Sequence, residues 1–164
     1  MEHIKMSVLK NKRGLSKMEF YHNARKLRKE MTELVRRDFG VHSRRNASKL
    51  DPSLPDDWYD EDMAEIARNI RLLLRNLMWN ITAANTIYAK NELELAKRRE
   101  YQTAAIINCQ QLIQELEFCC DTLPLRVDKL QPYLEAISFE IKLLKGWRKS
   151  GNKISVPFAE KPDL

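Results

Sequence analysis

Apolar side chains recur at three- and four-residue steps along four stretches of this 164-residue chain, with polar and charged residues between them. That step keeps one face of an α-helix apolar, so the pattern predicts four amphipathic helices. In the first, Phe20, Ala24, Leu27, Met31, Leu34 and Val35 form a stripe over about residues 16–39. Ser16 followed by Glu19 has the spacing of a capping box, and Gly40 is placed to end the run.

The second helix is expected to start near Asp60, where Asp60, Glu61 and Asp62 suit the positive end of the helix dipole. Its inward stripe reads Ile66, Ile70, Leu73, Leu77, Ile81, Ala84 and Tyr88. At about 1.5 Å per residue such a helix is about 45 Å long, a bundle length. Asn91 marks the next turn. The third helix is expected over about 93–122, with Ala105, Cys109, Leu112, Leu116, either Cys119 or Cys120, and Leu123 inward, and Pro124 stopping it. The fourth begins between Asp128 and Pro132, since proline is tolerated only in the first turn. Its stripe, Leu130, Leu134, Ile137, Ile141 and Leu144, steps in a 4-3-4-3 order that fits near-parallel helix axes. The expected fold is all-α, an antiparallel up-and-down four-helix bundle in one domain. It spans 16–150, with an N-terminal extension 1–15, an irregular link over about 40–59 and a loose tail 151–164.

Composition narrows the chemistry. The four glycines, Gly14, Gly40, Gly146 and Gly151, are dispersed, which excludes the glycine-rich phosphate loops of nucleotide-binding folds. The longest uncharged runs, 76–89 and 101–114, hold fourteen residues each and are too short to span a bilayer, so no membrane partner is expected. Three cysteines, Cys109, Cys119 and Cys120, make no disulfide framework, and the first residues carry no apolar signal core. The chain therefore reads as cytoplasmic. Glu19 and His22 have the Glu-x-x-His spacing of a di-iron bundle, but His3 and His42 offer no second motif, so neither a metal nor any other cofactor is expected. The Cys119-Cys120 pair lacks further zinc ligands and reads as small apolar filling.

Charge is the stronger signal. Lys and Arg total 29 against 23 Asp and Glu, a formal net charge of +6. Residues 1–50 alone hold fourteen bases and five acids, and 142–164 turns basic again through residues such as Lys142, Lys145 and Lys149. On the first helix Arg25, Lys29 and Arg36 fall within about 40° of one another, opposite the apolar stripe; on the second, Arg68, Arg71 and Arg75 fall within about 60°. On the second helix no acid lies between the three arginines or four residues from any of them, and bases grouped in this way suit phosphate contacts that follow a nucleic-acid backbone without reading bases. Two helices also carry spare apolar surface: Leu72 and Trp79 lie about 140–180° from the second helix's core stripe, and Trp147 flanks that of the fourth. Such a second face suits another subunit, so a homo-oligomer is expected with Leu72, Trp79 and Trp147 at its interface.

Residues 61–150 are similar to the accessory variability determinant (Avd) family of diversity-generating retroelements, grouped with the four-helix-bundle proteins of 23S ribosomal RNA intervening sequences. The likeness rests on helix order, loop lengths and the ending Gly146-Trp147. It implies a non-enzymatic homopentamer with a basic surface. The partners it implies are a reverse transcriptase and its structured template RNA, with DNA as a second nucleic acid, in template RNA-primed cDNA synthesis. Two other readings stand beside it. Arg37 and His42 resemble the Arg-x4-His motif of HEPN-type ribonucleases, where the arginine stabilises phosphate charge and the histidine performs acid–base work. The third reading is a protein-interaction bundle without nucleic-acid affinity.

Overall fold

A computed structural model describes residues 18–40, 53 and 58–151. The predicted extension 1–15, most of the link, Ser16, His42 and the tail beyond Gly151 lie outside the described residues. Four helices make up the fold: α1 (Glu19–Arg36), α2 (Trp58–Thr86), α3 (Glu92–Thr122) and α4 (Gln131–Ser150). Each packs on its neighbours in the chain, and α1 also packs on α4, which closes the ring. Asn80 and Asn69 on α2 meet Asn108 and Glu115 on α3 in reverse order, and Phe20 and Asn23 on α1 meet Trp147 and Glu140 on α4 in reverse order. The start of α1 lies by the end of α2, while its end lies by the start of α2. Neighbouring helices therefore run antiparallel, and the up-and-down four-helix bundle expected from the sequence is the fold observed.

The buried stripes carry this arrangement. On α1 the six predicted positions are all buried, together with Tyr21. On α3, Ala105, Cys109, Leu112, Leu116 and Cys119 are wholly buried, and Cys119 rather than Cys120 takes the inward place. Asn91 caps α3, its side chain accepting from the Glu94 N–H at 2.9 Å, while the Glu94 carboxylate accepts from the Lys90 N–H at 2.7 Å. The first bond satisfies a donor that the first turn of a helix cannot pair internally, and the second ties the residue before the cap to that turn. Pro132 lies in the first turn of α4, where its missing N–H costs nothing.

Four details differ from the sequence reading. α1 begins after Met18 with no side-chain cap, so Ser16 is not its N-cap residue. It ends at Arg36, before Gly40: Asp38 and Phe39 both take left-handed backbone angles, with φ of 48° and 54°. That conformation is unfavourable for a side chain with a Cβ, and the full burial of the Phe39 ring offsets it. On α2, Leu74 is wholly buried and Leu73 only half-buried. The two lie equally far from the mid-line of the stripe, so periodicity does not choose between them. Leu74 lies on the side turned to α1, as do Ala67, Arg71 and Met78. Tyr88 follows the end of α2 and is 82% exposed, so it is no part of the core. In its place Trp58 and Tyr59 begin the helix buried, with their rings edge to face 5.8 Å apart.

Candidate nucleic-acid interface

The two arginine-bearing helices lie side by side, and their basic faces meet across one groove. Along most of α1 a hollow of about 740 Å³ is lined by Arg25, Arg28, Lys29 and Arg36 from one wall and Arg75 and Trp79 from the other. A second hollow of about 580 Å³ adjoins it at Arg36, which stands there beside Arg68 and Arg71. All six bases predicted on these helices therefore border a single surface, and Arg36 belongs to both halves of it. Arg28 joins them. It lies three residues from Arg25, a spacing that would have placed it on the same face from sequence alone.

The groove keeps its charge. Among the described residues, none of Arg25, Arg28, Lys29, Arg36, Arg68, Arg71 or Arg75 has a carboxylate within 4.0 Å in the ion pairs formed. Glu30 pairs with Lys26 on a different side of α1, at 3.7 Å. Glu33 lines the first hollow, and Asp38 and Asp60 line the second, so bases outnumber acids in both. Arg25 lies over the Tyr21 ring, 5.8 Å from its centroid, which steadies the guanidinium without neutralising it.

Lys142, Lys145 and Lys149 stand elsewhere. They are exposed on α4, where Lys145 and Lys149 line a smaller hollow of about 390 Å³ with Arg99 and Arg148. The α3/α4 seam lies across the bundle from the α1/α2 groove, so the nine predicted bases form two surfaces and not one. The three predicted interface residues also separate. Leu72 is 53% exposed and Trp79 71% exposed on the outer side of α2. Trp147 is half-buried: Phe20 stacks on it with centroids 4.2 Å apart, and Arg98 lies over it at 5.6 Å. Its ring is used inside the chain. Gly146 beside it has open space where a Cβ would stand, so packing does not require glycine there.

The remaining sequence candidates offer less. Arg37 is exposed at the end of α1, where its Nε donates to the Glu33 carbonyl at 3.3 Å, and His42 lies outside the described residues. No group of three His, Cys, Asp or Glu able to hold a metal occurs among the described residues. Burial pushes the Cys119 thiol up to about 12 and the Cys109 thiol higher still, away from nucleophilic use. No described helix is long and apolar enough to cross a membrane.

One buried polar site escaped the sequence reading. Glu140 is 0% exposed on α4; one carboxyl oxygen accepts from Asn23 Nδ2 at 2.7 Å, and the other has no partner. Burial pushes this carboxyl up to about 8, with the nearby Glu19 adding to the effect and the Asn23 bond opposing it. Comparison with protein-family models, curated proteins and solved structures found no match to this chain.

Proposed function

We propose that this chain is a non-enzymatic, basic nucleic-acid-binding protein that assists a retroelement reverse transcriptase in template RNA-primed cDNA synthesis. The observation that carries the nucleic-acid part is the meeting of Arg25, Lys29 and Arg36 with Arg68, Arg71 and Arg75 along one groove. Guanidinium groups in a row, exposed and outnumbering the carboxylates beside them, match the regular negative charge of a sugar–phosphate backbone. Desolvating so many like charges against an apolar partner would be costly, so a polyanion is the fitting occupant. The cytoplasmic setting comes from the cysteine pattern and the composition of the first residues. The reverse transcriptase and the template RNA come from the family likeness over 61–150. So does the homopentamer, for which exposed Leu72 supplies an unclaimed apolar contact.

Replacing Arg68, Arg71 and Arg75 together by Gln tests the groove. RNA affinity should fall, and the slope of log K against log salt should flatten by about 2–3, since each lost phosphate contact removes about 0.7–0.9. An unchanged slope would remove these arginines from the interface. Light scattering after size exclusion tests the assembly: a mass of five chains supports the homopentamer, and a monomer ends that part of the proposal.

A further inference from the structure

We infer that the α1/α2 groove takes a single-stranded segment of nucleic acid, with the Trp79 indole as the platform on which an unpaired base stacks. This rests on the reading of the groove as a nucleic-acid surface and narrows it. Trp79 stands one helical turn beyond Arg75, in the wall of the same hollow as Arg25, Lys29 and Arg36. At 100° per residue, Arg68, Arg71, Arg75 and Trp79 fall within about 80° of one another, over about 16 Å of α2. The spare apolar face and the basic stripe of this helix are therefore one face.

The indole is 71% exposed, and it also borders a second, more apolar hollow of about 430 Å³ lined by Thr82, Ala83, Ile87 and Tyr101. A base laid on Trp79 thus has its phosphate on the arginine side and an apolar recess on the other. A duplex cannot use this arrangement, because its bases are already stacked on each other and only phosphates and groove edges reach the protein. A single strand can, since every unpaired base offers a π-face. A two-fold pairing of this face with itself fits worse, since it would set one row of cations against another.

The experiment compares oligouridylate of about ten nucleotides with a blunt RNA duplex of the same length, using the full chain, fluorescence anisotropy and tryptophan emission. The wild-type protein should bind the single strand more tightly than the duplex, and only the single strand should quench emission. Trp79→Ala should lose that quenching and about 5- to 100-fold of single-strand affinity, with duplex affinity and the salt slope unchanged. Trp79→Phe should retain part of the affinity. Equal binding of both strands by wild type, or a Trp79→Ala variant that binds the single strand as before, overturns the stacking platform and leaves the basic groove standing. Binding of neither strand at low salt overturns the groove reading as well. A native mass that falls in Trp79→Ala, with single-strand affinity unchanged, makes this face an interface between copies instead.

Discussion

The seam between α1 and α4 and the groove between α1 and α2 are built from similar materials and end in opposite states. Each holds a tryptophan, and each places polar side chains of α1 opposite those of a neighbouring helix. In the seam, Trp147 is covered by Phe20 and Arg98, and Glu140, seven residues earlier on the same flank, takes a hydrogen bond from Asn23. In the groove, Trp79 stands mostly exposed and the guanidinium groups stay in water. Charge accounts for the difference. One carboxyl can be buried if it keeps its proton, whereas a row of arginines cannot be neutralised together and holds the two helices' outer faces apart. Residue type alone therefore does not separate a tryptophan packed into a seam from one left exposed; the partners do.

The sharpest way to break this comparison is to truncate each tryptophan. Trp147→Ala should cost about 3–4 kcal/mol, because it removes a stacked ring from the seam and leaves a cavity beside Phe20. Trp79→Ala should stay within about 0.5 kcal/mol, as expected for a side chain outside the core. Urea unfolding of both variants measures the two values. A comparable loss in each would mean that the groove is a structural seam.

Glu140 gives the next largest effect. The native state keeps the Glu140 proton up to about pH 8, whereas an unburied glutamate releases it near 4.5. Between those values the native state binds one more proton than the unfolded chain, so rising pH destabilises the fold. The contribution is complete below about pH 4.5 and is lost as pH climbs to about 8, a fall of a few kcal/mol with a slope of at most about 1.4 per pH unit. Glu115, also raised by burial, acts in the same direction. Glu140→Gln can still accept the Asn23 hydrogen bond but cannot ionise, so most of this slope should vanish in chemical denaturation across the range. A Gln variant with the wild-type slope would place the titration elsewhere.

These two sites also mark how far the sequence could be read. The helices and their stripes were legible because a bundle core imposes a strict period, and a residue such as Leu112 or Ile137 has only one place to go. Leu73 and Leu74 show the limit of that logic: they straddle the stripe, and only the position of α1 selects Leu74. Glu140 was not legible at all. Its letter belongs to a solvated flank, and its burial depends on Asn23, 117 residues away. The groove lies between these cases. Each arginine stripe was visible along its own helix, but their meeting needed the fold. That Trp79 shares a face with Arg75 follows from their four-residue spacing, although its distance from the core stripe alone points to a subunit contact.

The smallest effect probes the groove from the side of stability. If its arginines are held apart by mutual repulsion, removing them should relieve the native state and not weaken it. Arg68, Arg71 and Arg75 lie three and four residues apart on one face, so each is a neighbour of the next like charge. Their replacement by Gln should raise stability by a few tenths of a kcal/mol, within about 0.5. Screening sets the conditions. At about 0.01 M salt the Debye length is about 30 Å and the whole row interacts, whereas at about 1 M it shrinks to about 3 Å and the gain should vanish. Thermal melts of the triple variant and the wild type at both ionic strengths would resolve this. A loss of more than about 1 kcal/mol, independent of salt, would show the guanidinium stems packing α1 onto α2. The closed and open sides of α1 would then differ in degree only, and the basic row would have to be explained by the fold before any ligand is invoked.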